Sequence, residues 1–99
     1  MNREEKQTRK MAQDMRKTLL EMERKQLEIQ QIQNTIVQFS GHSSIVVPET
    51  LREEIAKNDE NLARTRRLLL VCHRLIKNPN NKNASVELNR LMEEIPHET

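Results

Sequence analysis

The sequence predicts an all-α protein: a long antiparallel helical hairpin, coiled-coil-like, with a short third helix folding back on the C-terminal half of helix two. Two observations predict it. Ile55, Leu62, Leu69 and Ile76 recur every seven residues, and Leu51, Asn58, Thr65 and Cys72 recur half a heptad away. Seven residues is close to two helical turns, so both sets share one narrow stripe suited to meeting another helix. Helix breakers are also few, with Gly41 the single glycine and Pro48, Pro79 and Pro96 the only prolines. The long stretches between them are rich in Glu, Lys, Arg, Gln, Leu and Met, which favour helix.

Taken in order, residues 1–10 form a charged extension of helix one, and helix one proper covers 11–39. Its apolar positions, Met11, Met15, Leu19, Met22, Ile29, Ile32, Ile36 and Phe39, are mostly three or four apart. Residues 40–47 (SGHSSIVV) are the connecting loop, with Gly41 suited to the left-handed position after a helix end. Ile45, Val46 and Val47 are expected to cap the core beside Val37 and Phe39. Helix two covers 48–77, with Pro48 in the first turn, where a missing N–H costs nothing. Its acids (Glu49, Glu53, Glu54, Asp59, Glu60) come early and its bases (Arg64, Arg66, Arg67, Arg74, Lys77) late, a gradient that stabilises a helix dipole. Pro79 disfavours helix at Asn78 and makes 78–82 a turn. Helix three covers 83–95, capped by Asn83 or Ser85, with Leu88, Leu91, Met92 and Ile95 on one face. Pro96 closes it, leaving a tail at 96–99, and the whole of 1–99 reads as one domain.

The short connection makes helices one and two antiparallel neighbours. Residues 11–39 span about 42 Å and residues 51–76 about 38 Å at helical rise, so the two lengths match. The expected register sets Ile36 near Leu51, Ile32 near Ile55, Met15 near Cys72 and Met11 near Ile76. The internal seam is therefore Met11, Met15, Met22, Ile29, Ile32 and Ile36 against Leu51, Ile55, Leu62, Leu69, Cys72 and Ile76. Its middle layers are poor, since Asn58, Lys25, Thr65 and Thr18 each face one apolar partner. Asn58 either fixes register at a cost in stability or sits in a splayed, wet part of the hairpin. Folding back, helix three brings Glu93 and Glu94 towards Arg66 and Arg67, and Glu87 towards Arg74.

Composition limits function. The chain has 99 residues, 32% charged and 34% hydrophobic, with one Phe and no Trp or Tyr. So short and polar a chain buries a thin core, and a partner that adds surface would stabilise it. A net charge of +2, from 17 basic and 15 acidic residues, is too balanced for a dedicated polyanion binder. The lone Cys72 has no disulfide partner within the chain and lies on the apolar stripe, which suits a reducing, intracellular setting, cytoplasmic or nuclear. No stretch is apolar and long enough to span a bilayer, and the MNREEKQTRK start lacks the apolar run of a secretory signal.

Catalytic readings find little support. Cys72 and His73 are adjacent, so on a helix they diverge by about 100° and do not converge on a metal. Carboxylate pairs such as Glu53–Glu54 lie on solvated faces with no cleft to shift a pKa. The expectation is a non-enzymatic chain with no cofactor, metal or small-molecule ligand. Leu20, Leu27, Leu70 and Val71 lie beside or behind the seam and are candidate docking positions for another protein chain, either a second copy or a different protein. The function that follows is a helix-pairing scaffold or adaptor subunit of a multiprotein complex. The alternative is a nucleic-acid or anionic-surface binder using Arg64, Arg66, Arg67, Arg74 and Lys77, joined at the same end of the hairpin by Lys6, Arg9, Lys10, Arg16 and Lys17.

Overall fold

The structure, a computed structural model, describes residues 2–43 and 47–95. Among them are three helices and no strand: α1 (Arg3–Ser43), α2 (Glu49–Lys77) and α3 (Lys82–Glu93). α1 packs antiparallel along α2, and the backbone of α3 packs on α2 but not on α1. The molecule measures 62 × 23 × 22 Å, a length set by the 41 residues of α1 at about 1.5 Å each.

Helix ends differ from the sequence expectation in three places. Residues 3–10 continue helix one, as its expected charged extension. Asn2 Oδ1 accepts the Glu5 N–H at 2.8 Å, and Glu4 and Glu5 complement the dipole. At the other end α1 runs four residues beyond Phe39, and Gly41 is helical. A glycine permits the left-handed conformation but does not impose it, and helix continues through it for about 1 kcal/mol. Pro48 is the N-cap of α2 and not a first-turn residue: its backbone is extended (φ −60°, ψ 146°), and its carbonyl accepts from Leu51 and Arg52. α3 is capped by Asn81, ahead of the expected Asn83 and Ser85, because the Asn81 side chain already accepts the Ala84 N–H at 3.0 Å. The turn before it closes through Asn81 N–H to Asn78 C=O at 3.0 Å, with Pro79 between. Of the loop segment expected to cap the core, Ile45 and Val46 lie outside the described residues, as does the tail from Pro96. Val47 is half-buried, whereas Val37 and Phe39 are exposed.

The core sits where all three helices overlap. Ala12 and Leu19 from α1, Leu68, Val71, Cys72 and Leu75 from α2, and Ala84, Leu88 and Leu91 from α3 form one buried cluster. This core sets how α1 is turned about its own axis. Ala12 is small enough to let the helices approach closely, so Ala12 and Leu19 point inwards. A straight helix carries that phase seven residues at a time, which brings Gln26 and Gln33 into the interface. Ile29 and Ile36 follow those glutamines by three positions and are turned outwards by roughly 60°.

The expected seam is thereby corrected on α1. Met11, Met22, Ile29, Ile32 and Ile36 are exposed and Met15 is half-buried. On α2 the stripe faces inwards as expected: Leu62 and Cys72 are buried, and Leu51, Ile55, Leu69 and Ile76 are half-buried. Three polar residues share the seam, Gln33, Asn58 and Thr65. Thr65 satisfies its hydroxyl by donating to the Asn61 carbonyl one turn back (2.9 Å). Asn58 is buried, not splayed into water, and its Nδ2 donates to the Gln26 carbonyl at 3.0 Å. The side-chain oxygens of Gln26 and Gln33 are buried with no protein partner.

Polar contacts along the hairpin set the axial alignment. Arg9 Nε donates to the Ile76 carbonyl (2.9 Å), and Asn80 Nδ2 to Glu5 (2.8 Å). Gln30 Nε2 donates to Asp59 (3.3 Å), and Arg66 pairs with Glu23 (3.1 Å). The expected Glu87–Arg74 pair forms at 3.3 Å. Glu94, however, the C-cap of α3, pairs with Arg90 one turn back (3.5 Å), and Arg66 is held by Glu23.

Candidate docking surface

Turning α1 inwards on Ala12 and Leu19 leaves its largest apolar side chains outside. Met15, Met22, Ile29 and Ile36 are seven apart, and Met11, Thr18, Lys25 and Ile32 form the companion row. Both rows lie on the face of α1 next to α3, so they form a heptad-spaced apolar row distinct from the one that packs on α2. Ile32, at 62% exposed, is the most open of its apolar members.

Along the N-terminal half of α1 the stripe is one wall of a groove of about 660 Å³. Leu19 and Leu68 form the floor, Met11, Met15 and Met22 one wall, and Met92 on α3 with Ile95 just beyond its C-terminus the other. The groove exists because α3 rests on α2 and leaves a gap to α1. Four of the chain's five methionines line it, giving an unbranched, polarizable surface that adapts to an incoming apolar side chain. That clustering was visible in the sequence only as scattered methionines, because Met92 joins the others solely through the position of α3.

The expected docking residues fare unequally. Leu20 and Leu70 are 48% and 61% exposed, and Leu27 is half-buried against the hairpin. Val71 is corrected: at 1% exposed it belongs to the three-helix core and is sealed from any partner. Leu20 and Leu27 point away from the Met11–Ile36 rows by about half a turn of helix, so they do not extend the groove.

The basic end is partly committed to internal pairs. Arg66 and Arg74 are held by Glu23 and Glu87, Arg64 lies 3.3 Å from Asn61, and Arg67 and Lys77 are exposed. Lys6, Arg9, Lys10, Arg16 and Lys17 gather on one side of α1 with Asp14 among them.

Cys72 is fully buried. Burial pushes its thiol above the usual range, and the positive charge of Arg16 opposes that shift. The folded state therefore holds the thiol proton more tightly than the unfolded chain. The stability this contributes is complete below the unfolded thiol pKa of about 8.5 and is lost as pH rises through the folded value. Urea midpoints are expected to fall between about pH 7 and about pH 10, with a shallower fall in Cys72→Ala. An equal fall in both proteins would assign the pH dependence to other groups.

Among the described residues no cluster of His, Cys, Asp or Glu has the arrangement of a metal site. No described helix is long and apolar enough to cross a membrane. No protein-family model matches the sequence, and no curated protein or solved structure matches it either.

Proposed function

We propose that this chain is a non-enzymatic helix-pairing subunit, a scaffold or adaptor that holds a helix of another polypeptide on the outer face of α1. One observation carries the reading: α1 packs into its own fold through Ala12, Leu19 and two glutamines, and leaves most of an apolar heptad row exposed along residues 11–36. Solvated helix faces scatter apolar residues singly, whereas these recur with the period of a helix partner. The thin core, nine side chains with two alanines among them, supports the same reading, because added interface area adds stability.

Polyanion binding is the weaker alternative. Two of its five expected arginine and lysine residues on α2 already face carboxylates, and no aromatic side chain stands among them to stack on a base.

The test is cross-linking mass spectrometry on the native complex with an amine-reactive linker. Lys10 beside the exposed row and Lys25 within it are expected to link to another polypeptide, while Lys57 and Lys82 link within the chain. Met22→Glu with Ile36→Glu should abolish the intermolecular links. Links from Lys10 and Lys25 that survive these substitutions would refute the stripe as the docking face.

A further inference from the structure

We infer that the occupant of this surface is a second copy of the chain, paired antiparallel along α1, so that the uncharged C-terminal segment of each α1, from Ile29 onwards, lies in the methionine-lined groove of the other. This rests on the helix-pairing reading and adds the identity, direction and register of the partner.

The charge pattern carries the first part. Residues 29–43 contain no Asp, Glu, Lys or Arg in a chain that is 32% charged. A segment without ionised side chains can be covered by a second chain without taking a charge out of water. Residues 3–17, by contrast, carry six basic and three acidic groups. A parallel pair would set Lys10 and Lys17 against their own counterparts. An antiparallel pair sets the same lysines beside the uncharged segment and avoids like-charge repulsion.

Side-chain order carries the second part. With the two-fold axis near residues 23 and 24, Met11 meets Ile36 of the second copy and Met15 meets its Ile32. The same contacts repeat across the axis, as an isologous interface requires. Ile29 then meets Thr18, and Met22 lies on the aliphatic stem of Lys25, whose charge reaches water. Branched isoleucines from one copy enter the groove built from flexible methionines in the other, so knob and groove are supplied by opposite halves of one helix.

Area carries the third part. Met11, Met15, Met22, Ile29, Ile32 and Ile36 leave on the order of 500 Å² of apolar surface per copy, and a standard interface buries about 800 Å² per partner, a little over half of it apolar. The stripe therefore supplies about the apolar core that a stable dimer needs.

The experiment is light scattering of the full chain across a concentration series, together with directed cross-linking. The expected mass is twice that of the 11.7 kDa chain, falling to the monomer mass in Ile29→Glu with Ile32→Glu, with helical circular dichroism retained. In a Cys72→Ala background, an equal mixture of Met15→Cys and Ile32→Cys proteins should oxidise to a mixed disulfide dimer. Neither variant alone should do so. Like-with-like cross-linking of Met15→Cys would show a parallel pair and overturn the proposal. So would a monomer at every concentration. If that monomer still shows the Lys10 and Lys25 links to a different polypeptide, self-pairing fails and the helix-pairing reading stands.

Discussion

Leu75→Ala and Leu91→Ala are each expected to destabilise the fold by about 2–5 kcal/mol, the range for truncating a fully enclosed leucine. Leu75 is 1% exposed and Leu91 is fully enclosed, and both belong to the single cluster that joins the three helices. With Ala12 and Ala84 already in that cluster, little bulk remains to collapse into the cavity. A chain of this size has about 5–15 kcal/mol of stability in total, so either substitution removes a large share of it. At roughly 4–8 °C per kcal/mol, melting should fall by about 8 °C or more. The two variants should also differ in kind. Leu91→Ala loosens α3 from α2, and exposure of Leu68 and Val71 should appear as increased binding of a hydrophobic dye. Leu20→Ala serves as the reference, since an exposed position is expected to change stability by no more than about 0.5 kcal/mol. Thermal melts with losses below about 1 kcal/mol in both core variants would show that the three-helix cluster does not hold the fold together.

Gln33→Leu combined with Asn58→Leu is expected to act in the opposite direction and raise stability by about 2 kcal/mol. Gln33 buries a side-chain oxygen with no protein partner, a defect that costs about 1–3 kcal/mol. Asn58 donates one hydrogen bond to the Gln26 carbonyl, worth about 1 kcal/mol net. Its loss orphans nothing, because that carbonyl keeps its bond within the helix. Each new leucine adds about 1.5–3 kcal/mol of apolar burial, offset in part by packing strain at a site shaped for another side chain. The polar residues then serve selection of one alignment, as a single buried Asn does in helix pairs. The double variant should melt higher yet show more than one set of amide resonances, as α1 samples alternative alignments on α2. A lower melting temperature would instead make these residues net contributors to stability.

The sequence and the structure agree most closely on α2. Its stripe from Leu51 to Ile76 faces α1 because the heptad spacing is a property of one helix and needs no knowledge of its neighbours. The turn at Asn78–Pro79 and the Arg74–Glu87 pair were legible for a similar reason, since they depend on short sequence separations. The orientation of α1 was not legible. Its residues contain two heptad rows, and the row with more isoleucine and methionine is the one left outside. Alanine and glutamine occupy the inner row, and hydrophobicity alone ranks them below the residues they displaced.

By itself the sequence determined the helices, their antiparallel order and the place of α3 on α2, because each follows from local periodicity, breakers and connection length. Only the tertiary structure decided which stripe of α1 is internal. That choice is made where Ala12 and Leu19 meet residues of α2 and α3, distant in sequence, and a rigid helix carries it to residues that touch none of them. The same choice opens the groove beside Met92, so the candidate binding surface is a consequence of packing that no local pattern contains.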